Sequence, residues 1–276
     1  MRGLPQPPQR FQTQIGERPV RRRDFLKLTL RGAAGIGLAG GLGTIFWPLA
    51  GRAAGKPARW VFLVDTYKCI GCGFCVKACK QENEIPWDAE ISRTWVERYV
   101  VTRDGTVFAD SPKEARYGFT SPRVDMGGGQ FKDIPREQIK KAFFGPKLCN
   151  QCDRPPCVQV CPVGATYQTP DGVCLVDRKW CIGCGYCIMA CPYGMRFFHP
   201  VHRVAEKCNF CYHRITRGGQ PACVLACPTG ARRIGNGKDP EDPVSKVILT
   251  QRVSIHKPEY GTKPQVYYLG MSEEVR

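Results

Sequence analysis

Histidine is scarce in this 276-residue chain, with four residues against seventeen cysteines. That leaves little material for the mixed Cys/His sets that zinc favours. The glycine-rich dinucleotide fingerprint, the P-loop and the C-x-x-C-H haem attachment motif are all missing, and no nucleophile–base constellation stands out. Dinucleotide, nucleotide and c-type haem chemistry are thereby excluded, and no site for substrate chemistry is visible. There is no helix-turn-helix, no aromatic RNA-binding signature and no long Lys/Arg run, so a nucleic-acid partner is not expected. After residue 54 no apolar run approaches the roughly 18 residues of a membrane span. The remainder is expected to be soluble, and any span must come from another subunit.

What the chain has in excess is cysteine and positive charge. The formal net charge is +17. The first 54 residues hold nine Lys/Arg against two Asp/Glu, and the rest hold 32 against 22. That count treats cysteine as neutral. A cubane iron–sulfur cluster on four thiolates carries a net charge of about −2. Four of them would bring the domain after residue 54 close to neutrality, so most of the basic excess reads as balance for buried cluster charge.

The cysteines fall into four groups with one left over. Group one is Cys69-x2-Cys72-x2-Cys75-x3-Cys79. Group two is Cys149-x2-Cys152-x4-Cys157-x3-Cys161, then Pro162. Group three is Cys181-x2-Cys184-x2-Cys187-x3-Cys191, then Pro192. Group four is Cys208-x2-Cys211-x11-Cys223-x3-Cys227, then Pro228. Groups one and three have the spacing of bacterial ferredoxins. Three cysteines two apart wrap a tight loop around one cubane. The x3 step begins a helix that carries the fourth cysteine away, toward the other cluster of a pair. Gly71, Gly73, Gly183 and Gly185 permit close backbone approach inside the loops. Crowding three cysteines into seven residues suits a cubane corner better than zinc, which favours separated C-x2-C pairs. The spacing thus predicts four [4Fe–4S] clusters on sixteen cysteines. The seventeenth, Cys174, lies in an apolar stretch and reads as a buried strand residue.

The front of the chain carries Arg22-Arg23-Asp24-Phe25-Leu26-Lys27, then an uncharged Gly/Ala-rich stretch from Ala33 to Ala50. This resembles a twin-arginine export signal. Arg21 stands where that pattern usually has Ser or Thr. Five glycines between Gly35 and Gly43 make the stretch only weakly apolar, which suits a signal better than a stable span. Cleavage near Ala53-Ala54 and retention as an anchor are both open. The twin-arginine route exports folded proteins with cofactors in place. Loaded clusters would therefore reach an oxidising compartment with their thiolates occupied, which counts against a disulfide framework.

Groups two, three and four share C-x3-C-P-x-G, an internal repeat. A short strand, turn and strand are expected after groups two and four, with turns at Gln168-Thr-Pro-Asp-Gly172 and Asn236-Gly237. The expected fold is α+β: two interleaved bacterial-ferredoxin-like two-cluster units with approximate two-fold symmetry. With the pairing of groups that the family resemblance described below implies, unit A takes residues 58–100 and 200–250, with groups one and four, and unit B takes residues 145–199, with groups two and three. Residues 101–144 are an insertion and 251–276 a C-terminal tail. Trp95-Val-Glu-Arg-Tyr-Val-Val-Thr102 alternates like a strand, and Gly127-Gly128-Gly129 marks a loop. The insertion reads as a surface for docking a partner. Trp180, Tyr186, Phe197, Phe198 and Phe210 read as shields of the clusters against water. His199 and His202 read as packing or surface residues. In the eleven-residue loop of group four, His213, Arg214 and Arg217 sit either near a cluster, at a partner surface or in solvent.

Over about residues 58 to 270 the chain resembles the four-cluster iron–sulfur subunits of respiratory oxidoreductases. That family includes the electron-transfer subunits of dimethyl sulfoxide, polysulfide and tetrathionate reductases and of formate dehydrogenase. It also includes the iron–sulfur proteins linked to cytochrome c nitrite reductase and to one class of nickel–iron hydrogenase. The resemblance rests on Val64-Asp-x-x-Lys-Cys-Ile-Gly-Cys72, Cys149-Asn-Gln-Cys-Asp-x-Pro-Pro-Cys157, Lys207-Cys-Asn-Phe-Cys211 and Lys257-Pro-Glu-Tyr-Gly-Thr-Lys-Pro264. It implies that group one pairs with group four, and group two with group three. Cluster one then takes Cys69, Cys72, Cys75 and Cys227. Cluster two takes Cys149, Cys152, Cys157 and Cys191. Cluster three takes Cys181, Cys184, Cys187 and Cys161. Cluster four takes Cys208, Cys211, Cys223 and Cys79. Some members lack the second cysteine of group three and hold a three-iron cluster; here Cys184 is present. The resemblance further implies a non-catalytic electron relay on the periplasmic side of the cytoplasmic membrane. Its implied partners are a catalytic subunit of molybdopterin, hydrogenase or cytochrome type and a multi-span, quinone-linked membrane subunit. The group-three cluster would face the membrane partner and the group-one cluster the catalytic subunit. A freestanding ferredoxin-like carrier and an enzyme in its own right are the alternatives.

Overall fold

A computed structural model of the protein describes residues 58–119 and 134–275. The proposed export signal and Gly127-Gly128-Gly129 lie outside the described residues.

The apolar run that precedes group one forms strand β1 (Trp60–Asp65), buried along almost its whole length. Helix α1 (Phe74–Glu82) follows and carries Cys75 and Cys79. Strands β2 (Thr94–Thr102), β3 (Val107–Asp110) and β4 (Ile139–Leu148) make an antiparallel sheet in the order β3-β2-β4, with an irregularity in register at Val101/Thr102. The alternation in Trp95–Thr102 is therefore a strand, as expected. The sheet starts at Thr94 and ends at Leu148, so the 101–144 boundaries of the expected insertion cut through its two long strands.

Four one-turn helices carry the other groups: α2 (Pro156–Gln159), α3 (Tyr186–Met189), α4 (Tyr212–Ile215) and α5 (Ala222–Leu225). Between groups two and three lies a hairpin of β5 (Thr166–Gln168) and β6 (Cys174–Val176), turned by the Gln168–Gly172 segment. Between groups three and four lies a second, smaller hairpin, β7 (Phe197–Phe198) with β8 (Ala205–Glu206). The hairpin expected after group four is absent. Strand β9 (Arg232–Asn236) does end near Asn236-Gly237, but it pairs antiparallel with β1, Val64 opposite Arg232. The first strand of the domain already occupies the place where a hairpin partner would lie.

After β9 comes helix α6 (Pro243–Thr250), capped by the Asp242 carboxylate, which accepts from Val244 N–H at 2.8 Å and Ser245 N–H at 3.3 Å. Pro243 suits the first helical turn, where its missing N–H costs nothing. The C-terminal segment is woven into the domain. Strand β11 (Val266–Leu269) runs parallel to β1, and β10 (Val253–Ser254) pairs with β11, giving the sheet order β10-β11-β1-β9.

The main core lies between this sheet and the cysteine-bearing helices. It includes Phe62 and Val64 of β1, Val76 of α1, Phe210, and Tyr268 of β11. The Phe62 and Phe210 rings stack with centroids 5.4 Å apart. The helices pack in two pairs, α1 on α5 and α2 on α3. Among the described residues no helix is long and apolar enough to cross a membrane.

Two kinds of glycine shape the cysteine loops. Gly73 and Gly185 precede α1 and α3 with φ of 75° and 80°. Gly164, Gly194 and Gly230 close identical turns, each donating its N–H to the carbonyl of the cysteine three residues back at 3.3 Å, with φ of 65°, 63° and 64°. A Cβ at Gly73 would stand 2.2 Å from the Ala115 carbonyl oxygen, whereas one at Gly230 meets nothing within 4 Å. Gly230→Ala therefore costs only the left-handed backbone, about 1–2 kcal/mol. Gly73→Ala adds a backbone clash to the same penalty. Denaturant midpoints of the two variants are expected to separate in that order, Gly73→Ala being the less stable and the poorer in iron.

Candidate iron–sulfur sites

None of the seventeen cysteines is paired in a disulfide, and most are buried. Cys69, Cys72, Cys75 and Cys227 line one small cavity, together with Arg232. Cys149, Cys152, Cys157 and Cys191 line a second, together with Arg196 and Cys174. Three thiols of each set come from one group and the fourth returns from another. Cys79 lies near none of its own group's space. The thiols it interacts with are Cys208, Cys223 and Cys211 of group four. In group three, Cys187 and the partly buried Cys181 pack around Cys157 and Ala205, while Cys184 is exposed. Cys161 follows α2, which packs on the group-three helix α3. The main groups that act on the Cys161 thiol are the backbone N–H groups of its own turn and the Thr166 hydroxyl, with no group-three cysteine among them.

Burial pushes these thiols up: Cys69 to about 11, Cys152 and Cys223 to about 12, and Cys79 well above its ordinary value. An isolated buried thiolate is costly, so the metal must supply the charge that keeps it ionised. Cys161 and Cys227 go the other way. Burial opposes their ionisation, but donors in the C-P-x-G turn outweigh it: the Thr166 N–H at 3.4 Å from Cys161 Sγ, and the Thr229 hydroxyl with the Ala231 and Arg232 N–H groups at Cys227. The repeat is thus a device for aiming donors at a returning thiolate.

The donor set fits iron–sulfur clusters. Thiolates ring a space instead of converging on a point, and among the described residues no set of three or more His, Cys, Asp or Glu is arranged to hold a single ion. Buried donors beside the thiols also lack acceptors, among them Nε and Nη1 of Arg232 and Nε of Arg196. A cluster's sulfide and thiolate sulfurs are acceptors of the right kind.

Several supporting residues carry no signal in the sequence. Asn83 donates to the Cys79 carbonyl at 2.8 Å and to its Sγ at 3.4 Å, and it accepts from Arg93 at 2.7 Å. Arg93 is ion-paired to buried Glu206 at 2.7 Å. Gln151 donates to the Cys208 carbonyl at 2.6 Å and accepts from the Cys174 N–H at 2.7 Å, tying group two to group four. Gln151 lies inside the group-two motif, but nothing in its spacing points to this link. Cys174 is buried on β6, its thiol pushed up to about 12 by burial.

Other expectations need correction. Phe210 is buried, but Trp180, Tyr186 and Phe198 are 67%, 57% and 45% exposed, so they do not seal group three from solvent. A ligand loop at a surface cannot cover its own flank. His213 and Arg214 stay partly in solvent while both bond Glu82 of α1 at 2.6 Å, clamping the group-four loop to the group-one helix, and Arg214 also interacts with the Cys211 thiol. Arg214 is the main reason the Glu82 carboxyl is held down to about 2. His199 and His202 are as expected: His199 packs inside, its Nδ1 accepting from two N–H groups of its own turn, and His202 is at the surface.

Known proteins carry the same patterns. The sequence pattern of the 4Fe-4S dicluster domain matches twice, over residues 68–165 and 140–237. A tetrathionate reductase subunit of Salmonella typhimurium is 39% identical over 225 residues, 80% of this chain and 77% of the relative. A selenate reductase subunit of Mesobacillus selenatarsenatis is 34% identical, covering 79% and 75%. The NrfC protein of Escherichia coli is 36% identical, covering 79% and 86%.

Stripping the iron should leave neutral, protonated thiols around empty spaces, with the Arg196 and Arg232 charges unbalanced. Chelation under oxidising conditions is expected to abolish the near-ultraviolet circular dichroism and the protease resistance of residues 58–275 together.

Proposed function

The chain belongs to the 4Fe-4S dicluster family of iron–sulfur proteins, and from this we propose that it is the electron-transfer subunit of a respiratory reductase complex. Four [4Fe–4S] clusters supply one-electron oxidation and reduction without bond-making. The protein's own work is to hold them, keep water away and set their charge environment. The observation that carries this reading is the exchange of thiols between groups: Cys227 stands with group one, Cys191 with group two, and Cys79 with group four.

The ligand sets we propose are those implied by the family. They are Cys69, Cys72, Cys75 and Cys227; Cys149, Cys152, Cys157 and Cys191; Cys181, Cys184, Cys187 and Cys161; and Cys208, Cys211, Cys223 and Cys79. Two interleaved ferredoxin-like units follow, A from groups one and four and B from groups two and three, and the α1–α5 and α2–α3 pairings support them. Contacts between the sets suggest a linear order. Cys75 of the first set interacts with Cys223 of the fourth, Cys208 of the fourth with Cys149 of the second, and Cys157 of the second with Cys187 of the third. The chain thus offers its sites in the order one, four, two, three.

Both ends of that order carry exposed apolar side chains. Beside group one are Tyr67, Ile70 and Phe74, exposed by 76%, 49% and 55%. Beside group three are Trp180, Ile182 and Met189, exposed by 67%, 65% and 83%. Such patches mark partner surfaces. We assign the first to a catalytic subunit and the second to a multi-span, quinone-linked membrane subunit, with the 94–148 sheet as a further docking element. Export by the twin-arginine route to the periplasmic side of the membrane completes the reading.

Iron counting tests the ligand exchange. Cys79→Ser and Cys208→Ser should each lose about four of some sixteen irons, and the double variant should also lose about four, because both hit one cluster. A loss of about eight in the double variant would mean that each group closes on itself. Met189→Asp should keep all the iron yet fail to co-purify with the membrane fraction; retention there would remove the group-three face from the docking surface.

A further inference from the structure

Three buried cations near the cysteine sets lack the carboxylate partner that a buried charge normally requires. Arg232, Arg196 and Lys207 are 1%, 5% and 2% exposed. Arg232 donates from Nη2 to the Thr94 hydroxyl at 2.9 Å, and its Nε and Nη1 are buried without partners. Arg196 donates from Nη2 to Cys157 Sγ at 3.1 Å and from Nη1 to the Thr166 hydroxyl at 3.3 Å. Lys207 donates to two backbone carbonyls, of Cys174 and, at 3.0 Å, of Cys208. Buried Arg93, by contrast, has Glu206.

Arg232 lines the cavity of the first set, Arg196 that of the second, and Lys207 sits on the Cys208 carbonyl of the fourth, and each cation interacts with thiols of two neighbouring sets. Arg232 interacts with Cys69 and Cys75 of the first set and Cys223 of the fourth. Lys207 acts on Cys208 of the fourth and Cys157 of the second. Arg196 interacts with Cys149 and Cys157 of the second and Cys187 of the third. Every joint in the order one, four, two, three therefore holds one cation. The two arginines also occupy equivalent places, five residues after the returning cysteine in Cys191-Pro-Tyr-Gly-Met-Arg196 and Cys227-Pro-Thr-Gly-Ala-Arg232. The C-P-x-G repeat positions an arginine at each within-unit joint, and Lys207 serves the joint between units.

We propose that Arg232, Lys207 and Arg196 are positioning cations, one per joint, each stabilising the more negative reduced state of the two clusters it faces. The proposal rests on the ligand sets given above. The physical argument is electrostatic. A reduced cluster carries one more negative charge than an oxidised one, and a fixed cation in a poorly polarisable interior favours that form. The cation and the thiolates support one another.

The test is a spectroscopically monitored redox titration of the full, iron-loaded chain, with iron counted first. Arg232→Met and Arg196→Met should each shift two of the four midpoint potentials downward, and the two pairs should be different. Lys207→Met should shift one member of each pair. This overlap needs no prior assignment of signals to clusters. Arg232→Lys and Arg196→Lys keep the charge and should restore the wild-type potentials. Full iron with unshifted potentials, or equal shifts of all four in every variant, would overturn the proposal alone. If a methionine variant loses iron, the charge-keeping variant decides: Arg232→Lys, Arg196→Lys or Lys207→Arg. Sixteen irons at wild-type potentials in that variant support a charge requirement, and iron loss there too overturns it. A wild-type chain holding far fewer than about sixteen irons would overturn the ligand sets, and this inference with them.

Discussion

Burying thiolates is the constraint on which the rest of the structure depends. A thiolate in an apolar interior is unstable unless something positive lies beside it, and burial pushes most of these thiols far above neutrality. Iron supplies most of that positive charge. The remainder comes from N–H groups aimed by the C-P-x-G turns and from cations such as Arg196 and Arg232. On this view the basic composition of the domain reflects its interior as much as its surface, and the fold is inseparable from its inorganic contents.

Topology follows from the same need. A loop of three cysteines can close around one face of a cluster, but a fourth thiol must come from elsewhere. In the arrangement proposed, the short helix after each loop carries that thiol to a neighbouring site. Sites are therefore built in overlapping pairs, and the helix pairs α1–α5 and α2–α3 are the packing expression of the exchange. The large sheet holds the outer ends together: β1 precedes group one, β9 follows group four, and β11 comes back from near the C-terminus to lie beside β1. Trp60 adds a link across the domain, donating from its indole N–H to Asp171 in the turn of the β5–β6 hairpin at 2.9 Å.

The legible parts of the chain were those where chemistry demands a residue type at a fixed spacing. Cysteine intervals announced the sites, and the alternation at Trp95–Thr102 announced β2. The Arg at the fifth place after Cys191 and Cys227 was equally visible, but a charged residue after a turn carries no meaning until its burial is known. Long-range pairing was not legible. Nothing local in Arg232–Asn236 says that its partner is β1, some 170 residues earlier, instead of a hairpin strand. The exposure of Trp180 and Tyr186 was hidden for a related reason: an aromatic residue beside a ligand either covers it or faces away, and only the packing decides. Helix α6 had a readable start in Asp242-Pro243, a cap followed by a proline suited to the first turn.

The central claim is that thiols from different groups share sites standing in single file. Anomalous diffraction at the iron edge, from crystals of the loaded protein, measures this directly. The account expects four compact iron sites in one line, each bounded by three cysteines of one group and one of another, with Cys79, Cys161, Cys191 and Cys227 as the exchanged ligands. Four sites each enclosed by a single group, or iron positions that form no line, would contradict it.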